Sequence, residues 1–214
     1  MDEDVFASEA DLSRRAAALE RRMRARRSVR AFSSHPVPLN VIEMCVSIAA
    51  SAPSGANMQP WSFVIVTGAD LRRTIRKRSE EVERAFYRER ITDEWRKKLE
   101  SLDLDIRKPF LEEAACLICV FLQRSGLDAE GRRVRHYYPM ESVGIATGFL
   151  ICSLHLLGLS ALTYTPQPMA FLSEVLGRPR NERPYMIIAA GYPADGYRPP
   201  DLERKGAAEY LTVL

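Results

Sequence analysis

The sequence predicts a single α+β domain, and three observations lead there. Stretches with apolar residues at helical spacing are interleaved with short apolar, β-branched runs of strand length. No internal repeat or low-complexity linker divides the chain. A length of 214 residues suits one domain with a substantial core rather than two large ones.

Taken in order, residues 10–27 carry Ala, Leu and Arg at helical spacing, with Ser8 or Asp11 as N-cap. Residues 32–39 form a loop around Pro36 and Pro38. Asn40 is placed to cap a helix to about residue 52, with Val41, Ile42, Cys45, Val46, Ile48 and Ala49 as its apolar face. A second loop spans 53–60, and 62–66 reads as a short buried strand. A highly charged helix covers 70–90 and continues more weakly to Leu99. Lys108-Pro109-Phe110-Leu111 leads into a strand at 115–122, and 126–135 is a polar, mobile loop. The most apolar helix is 141–157, followed by a strand at 159–164 and a short helix at 169–176 ending at Gly177. The last core strand is 185–190. The tail 194–214 reads as extended, and its first half, rich in Pro and charge, suits wrapping a partner subunit.

Composition narrows the function classes. The 46% hydrophobic and 28% charged contents are those of a folded soluble protein. A net charge of +3, from 31 basic and 28 acidic residues, disfavours a dedicated nucleic-acid binder. Cys116 and Cys119 have CxxC spacing but lie inside an apolar run, where a strand points them to opposite faces, so they read as core thiols. His35, His136 and His155 are scattered, and no metal-ligand spacing emerges. The N-terminal stretch lacks the apolar core of a signal peptide, and no run approaches the ~20 apolar residues of a membrane span. Residues 143–159 come nearest and read as a buried helix. A reducing cytoplasm fits these features.

Two features carry chemistry. Neither GxGxxG nor GxxxxGK[ST] is present, but Arg26, Arg27, Ser28 and Arg30 form a guanidinium cluster that could grip a phosphate bidentately. Glu83 and Tyr87, at i and i+4, share one helical face, and Lys108 sits just before Pro109, where the chain must leave a helix. A carboxylate for an ammonium and an ammonium for a carboxylate make a clamp for a free amino acid.

The loop Pro53-Ser54-Gly55-Ala56 with Gln59-Pro60-Trp61 brings these features together. It joins Arg26 to Arg30, Tyr137-Tyr138-Pro139-Met140-Glu141-Ser142-Val143-Gly144, Thr163-Tyr164-Thr165-Pro166 and Leu176-Gly177-Arg178-Pro179. Gly191-Tyr192-Pro193 and Pro200-Asp201-Leu202-Glu203-Arg204-Lys205 complete the set. In this order the segments resemble the FMN-dependent nitroreductase superfamily and, within it, the iodotyrosine deiodinase branch, as a soluble, prokaryotic-type homologue. The likeness covers roughly 24–205. It implies residues 1–23 as a polar helical leader and 24–214 as one nitroreductase-like FMN-binding domain, with a lid at about 78–108. Its central, mostly antiparallel sheet would be flanked by helices, in an intertwined homodimer whose C-terminal extension is swapped onto the partner.

The resemblance also implies roles. Arg26, Arg27, Ser28, Arg30 and Arg204 would hold the FMN phosphate and ribityl chain, with Thr163, Tyr164 and Thr165 beside the flavin and Pro53 and Ser54 reaching it from the other chain. The Thr165 hydroxyl would meet flavin N5, favouring one-electron chemistry. Ala56 N–H would bind the substrate phenolate, and Glu83, Tyr87 and Lys108, with Trp95 nearby, would close over the zwitterion. The reaction implied is reductive removal of iodide, bromide or chloride from a 3-halotyrosine. NADPH-derived electrons would arrive through a separate flavin or NAD(P)H reductase, with no nucleic acid, metal or membrane involved. The alternative within enzymes is a general NAD(P)H-dependent nitroaromatic or quinone reductase. Outside enzymes, it is a flavin- or nucleic-acid-binding protein.

Overall fold

The apolar run after Lys108 becomes the inner part of a four-stranded sheet. The computed structural model describes residues 8–89, 91–92, 94, 106–127 and 130–214. In it, β1 (Trp61–Val66), β2 (Cys116–Gln123), β5 (Ser160–Tyr164) and β6 (Glu182–Gly191) are ordered β1-β2-β6-β5, every pair antiparallel. β2 is buried along seven of its eight residues, as an inner strand covered on both faces must be.

Helices cover both faces. On one side lie α2 (Leu39–Ala50) and α5 (Pro139–Leu156), packing Ile42, Cys45, Ala49, Val143, Ala146, Leu150 and Leu154 against Cys116, Ile118 and Ile188. On the other lie α3 (Ala69–Glu89), the single turn α4 (Phe110–Glu113) and α6 (Ala170–Val175), packing Ile75, Leu111 and Leu172 against Leu117, Cys119 and Ile187. Cys116 and Cys119 therefore belong to different halves of the core, as strand alternation requires. Burial pushes the Cys116 thiol up to about 11 and the Cys119 thiol to about 12, so neither is a nucleophile near neutrality. All four cysteines are free.

α1 (Glu9–Ala25) buries no residue, and Ser8 caps it by accepting from Asp11 N–H. α5 is long and apolar enough to cross a membrane by length and composition, yet one side of it is packed on the sheet. Its outer side keeps Ile145 and Phe149 in the open, so the predicted buried helix is buried on one face only.

Elsewhere the structure departs from the sequence reading for definable reasons. Asn40 does not cap α2; the Pro38 carbonyl accepts from Val41 and Ile42, which puts Asn40 inside the first turn. The loop at 126–135 contains a small hairpin of β3 (Ser125–Leu127) and β4 (Arg133–Arg135). β6 begins three residues earlier than expected, because an irregularity at Val120/Phe121 accommodates Pro184, which has no N–H to donate. The weak continuation to Leu99, Trp95 and most of the predicted lid beyond α3 fall outside the described residues.

Candidate active site

The arginine segment is laid against the edge of the sheet. Ser28 bridges Ala161 in parallel, Val29 N–H donates to the Ala161 carbonyl at 3.3 Å, and Val29 and Phe32 are buried. Ala31 and Ser33 are tied to the chain after β6, through Ala194 N–H and the Tyr192 carbonyl. Anchoring Val29 inward leaves Arg26, Arg27, Ser28 and Arg30 half-buried along the β5 edge. The tail closes on them. Arg204 donates to the Arg24 and Arg26 carbonyls at 2.5 and 2.7 Å, Arg27 to the Pro200 carbonyl, and Arg30 N–H to Tyr197 Oη at 3.2 Å. Arg26, Arg27, Arg30 and Arg204 thus share one stretch of the β5 edge and the tail laid on it, with no carboxylate paired to any of them among the described residues. That donor set fits a phosphate dianion.

β5 leads from this cluster to Thr165. Four residue steps lead from Ala161 to Thr165, about 13 Å of extended chain. Thr163 and Thr165 are exposed while Tyr164 is turned inward. Two hydroxyls therefore face one side of the strand end.

The three clamp residues stand on the inward side. Lys108 Nζ lies 3.7 Å from Glu83 Oε2, both side chains being mostly buried, and the Tyr164 hydroxyl donates to Glu83 Oε1 at 3.0 Å. Tyr87 is one turn beyond Glu83, its ring edge-on to Phe86 at 5.8 Å. Burial, and then the Glu83 carboxylate, push the Tyr164 phenol well above its usual range, so it remains a donor. The structure thus brings together Glu83, Lys108 and the strand that carries Thr165.

One residue unmarked in the sequence braces this group. Glu80 Oε1 accepts the Lys108 backbone N–H at 2.9 Å and Arg76 Nε at 2.8 Å. Burial alone would raise the Glu80 carboxyl, but the Arg76 and Lys108 hydrogen bonds win and hold it below the ordinary carboxylate range. In a helix this rich in Glu and Arg, spacing alone cannot separate Glu80 from Glu81 or Glu83.

Ala56 sits elsewhere. The loop before β1 makes a short 3₁₀ turn (Gly55–Asn57) in which Ala56 has φ 49° and ψ 28°, and Asn57 and Gln59 are also left-handed. Three such non-glycine residues within four positions concentrate backbone strain. They are held by Ser54 Oγ accepting Gln59 N–H, by Ser142 Oγ accepting Gly55 N–H, and by Tyr138, itself at φ 47°. A Cβ on Gly55 would come within 3.0 Å of the Tyr137 carbonyl, so the close approach requires glycine. The loop feeds β1, at the opposite edge of the sheet from β5. Three strand spacings, about 14 Å, separate those edges. One chain therefore does not bring Pro53, Ser54 and Ala56 to Thr165 and Glu83.

Comparisons with known proteins identify the family and the fold. Residues 23–192 match the Nitroreductase family model. The chain is 46% identical over 188 residues to an iodotyrosine deiodinase from Haliscomenobacter hydrossis, covering 88% of this chain and 85% of that protein. It is 42% identical over 195 residues to the Drosophila melanogaster iodotyrosine deiodinase, covering 90% of this chain and 68% of that one. A crystal structure of oxidized iodotyrosine deiodinase bound to FMN and 3-iodo-L-tyrosine superposes with a TM-score of 0.79 at 31% identity, over 91% of this chain and all of that one. A nitroreductase with bound FMN from Bacteroides fragilis shares the fold, with a TM-score of 0.66 at 19% identity over 92% of this chain and 98% of that one.

Proposed function

The chain belongs to the nitroreductase family, and from that premise we propose that it is an FMN-dependent dehalogenase of halotyrosines. Two electrons and a proton replace the carbon–halogen bond by carbon–hydrogen, giving tyrosine and halide. The observation that carries this reading is the Glu83–Lys108 pair, mostly buried beside the end of β5, one residue before Thr165. A general nitroreductase has no use for a matched carboxylate and ammonium at that place. A free amino acid needs both.

Arg26, Arg27, Ser28, Arg30 and Arg204 would hold the phosphate and ribityl chain of FMN, which would supply single electrons there, and the Thr165 hydroxyl would donate a hydrogen bond to the flavin. Glu83 takes the substrate ammonium, Lys108 its carboxylate, and Tyr87 lies over the side chain. Ala56, presented by a second copy, offers its N–H to the phenolate, with Pro53 and Ser54 at the flavin.

Two features support a homodimer. The strained loop and the clamp lie at opposite sheet edges, so a two-fold pair can unite them. Met44 and Ile48 on α2, with Ile145 and Phe149 on α5, leave an apolar patch that a second copy would cover. The tail from Asp201 to Leu214 is exposed throughout, and its residues beyond Arg204, which is tied to the Arg24 and Arg26 carbonyls, extend the surface a second copy would meet. Four free thiols suit the cytoplasm. The electrons come from NADPH through a separate reductase.

The test is a titration of FMN fluorescence in the purified protein with 3-iodo-L-tyrosine, against 2-iodophenol as the control lacking the amino-acid head. Strong quenching by the amino acid alone supports the assignment. Equal quenching by both, or none by either, rejects the clamp and leaves a general nitroaromatic or quinone reductase.

A further inference from the structure

Glu83 is held from two sides, and only one of the holders belongs to the clamp. Lys108 approaches Oε2, while the Tyr164 hydroxyl occupies Oε1 at 3.0 Å. Tyr164 ends β5, and its ring is pinned edge-on by Phe110, with centroids 5.4 Å apart and planes at 82°. Phe110 and Leu111 are buried, so α4 fixes the ring and the ring fixes the hydroxyl. Its neighbours Thr163 and Thr165 face the other side of the strand. Tyr164 is thus the one described side chain that hydrogen-bonds the clamp carboxylate from the strand carrying Thr165.

We infer that Tyr164 is a positioning residue, which aims the Glu83 carboxylate at the substrate ammonium and so sets selectivity for an amino acid over the same ring without its amine. The inference rests on the halotyrosine reading of the site and deepens it. A carboxylate on a long, charged helix has several rotamers, and two of its four acceptor positions are needed for the incoming ammonium. Tyr164 removes that freedom before substrate arrives, which is the preorganisation that lowers the cost of binding. Glu80 does the matching work for Lys108 by holding its backbone N–H. The two charges of the clamp are therefore fixed by separate parts of the fold, Glu83 by the sheet and Lys108 by α3. The contrasting account is that a buried phenol simply needs an acceptor. On that account, losing the hydroxyl costs stability but leaves head-group selectivity unchanged.

The experiment is calorimetric binding to FMN-loaded Tyr164→Phe of 3-iodo-L-tyrosine and of 3-(4-hydroxy-3-iodophenyl)propanoate, which keeps ring and carboxylate but lacks the amine. We expect the dissociation constant for the amino acid to rise about tenfold, the usual scale for a hydrogen bond to a charged group, while that for the propanoate holds. In a Glu83→Gln background the same change should cost nothing more. Equal losses for both ligands, or additive losses in the double variant, overturn the inference. FMN content and melting temperature of each variant expose a folding defect. Should Tyr164→Phe fold poorly, Phe110→Leu keeps the hydroxyl but loosens the ring, and must show a smaller loss confined to the amino acid. Wild-type protein that fails to distinguish the two ligands rejects the halotyrosine reading, and this inference with it. A wild-type preference kept intact in Tyr164→Phe rejects this inference alone.

Discussion

Lys108 Nζ stands 3.7 Å from Glu83 Oε2, so before any ligand arrives the two charged ends of the clamp face one another. On the proposed function, a zwitterion would enter by replacing that pair with two new ones, ammonium to Glu83 and carboxylate to Lys108. The exchange conserves charge pairing, which keeps two mostly buried ions from being stranded.

Glu83→Gln and Lys108→Gln should therefore each weaken 3-iodo-L-tyrosine by about 2 kcal/mol, roughly thirtyfold, while FMN remains bound. Calorimetry on the flavin-loaded variants measures this. Unchanged affinity in both would remove the clamp from recognition.

Acid should unfold the protein through two particular carboxylates. Glu80 is held low by Arg76 and Lys108 against the opposing effect of burial. Glu182 is held low in the same way, burial being outweighed by Arg178, 2.7 Å away, and by Gln123. A depressed folded-state value means the stabilisation is complete above the unfolded-state value of about 4.3 and is lost as pH falls through the lower, folded-state value. Melting temperature should accordingly drop on acidification below about pH 4.3. Glu182→Gln should melt lower than wild type at neutral pH and lose less on acidification. An acid slope identical to wild type would assign the effect to other groups.

Thr165→Ala should bring the two one-electron steps of the bound flavin together. Potentiometric titration then shows a single two-electron transition where wild type shows two. Two resolved steps in the variant would locate control of electron number in another group.

Ala56→Gly should raise the melting point slightly. Glycine removes the left-handed penalty at φ 49° but adds unfolded-chain entropy, for a net gain of up to about 1 kcal/mol, or ~2–4 °C in a chain of this size. Ala56→Val should lower it. The backbone N–H survives in both, so a large loss of ligand affinity in the glycine variant would mean the methyl group itself touches substrate.

Thiol titration of the native protein at pH 8 should find at most one reactive cysteine, Cys152, because Cys45, Cys116 and Cys119 are buried. Rapid modification of two thiols, followed by a Cys116–Cys119 disulfide on oxidation, would contradict their placement on opposite sheet faces.

The strands were legible where burial imposes a continuous apolar run, as at Cys116–Gln123, and the helices where apolar spacing meets a cap, as at Ser8. The hairpin at 125–135 was not, because its three-residue strands are largely polar and are defined by backbone pairing alone. A family likeness singles out Glu83, Tyr87 and Lys108, and the structure places Lys108 against Glu83, but Glu80 had no such mark, since one glutamate among many is distinguished only by what lies across from it. Tyr164 reads as a strand residue with a large ring; that its hydroxyl reaches α3 depends on a contact 81 positions away. Left-handed backbone at Ala56 and Gln59 carries no local mark either, alanine and glutamine being ordinary choices for ordinary conformations. The loop is bent by Tyr138 and Ser142, which come from another part of the chain.

The strained loop and the clamp lie at opposite edges of one sheet, and in a two-fold pair that separation has a genetic corollary. If the proposed dimer is right, a chain damaged only at Lys108 and a chain damaged only in the Ala56 loop should each be inactive with copies of themselves. Mixed together, they should form heterodimers in which one site draws its clamp from one chain and its loop from the other, both intact, while the second site collects both defects. Two dead alleles should therefore complement one another, up to half the activity per mixed pair, and neither should do so with a third allele that lacks both.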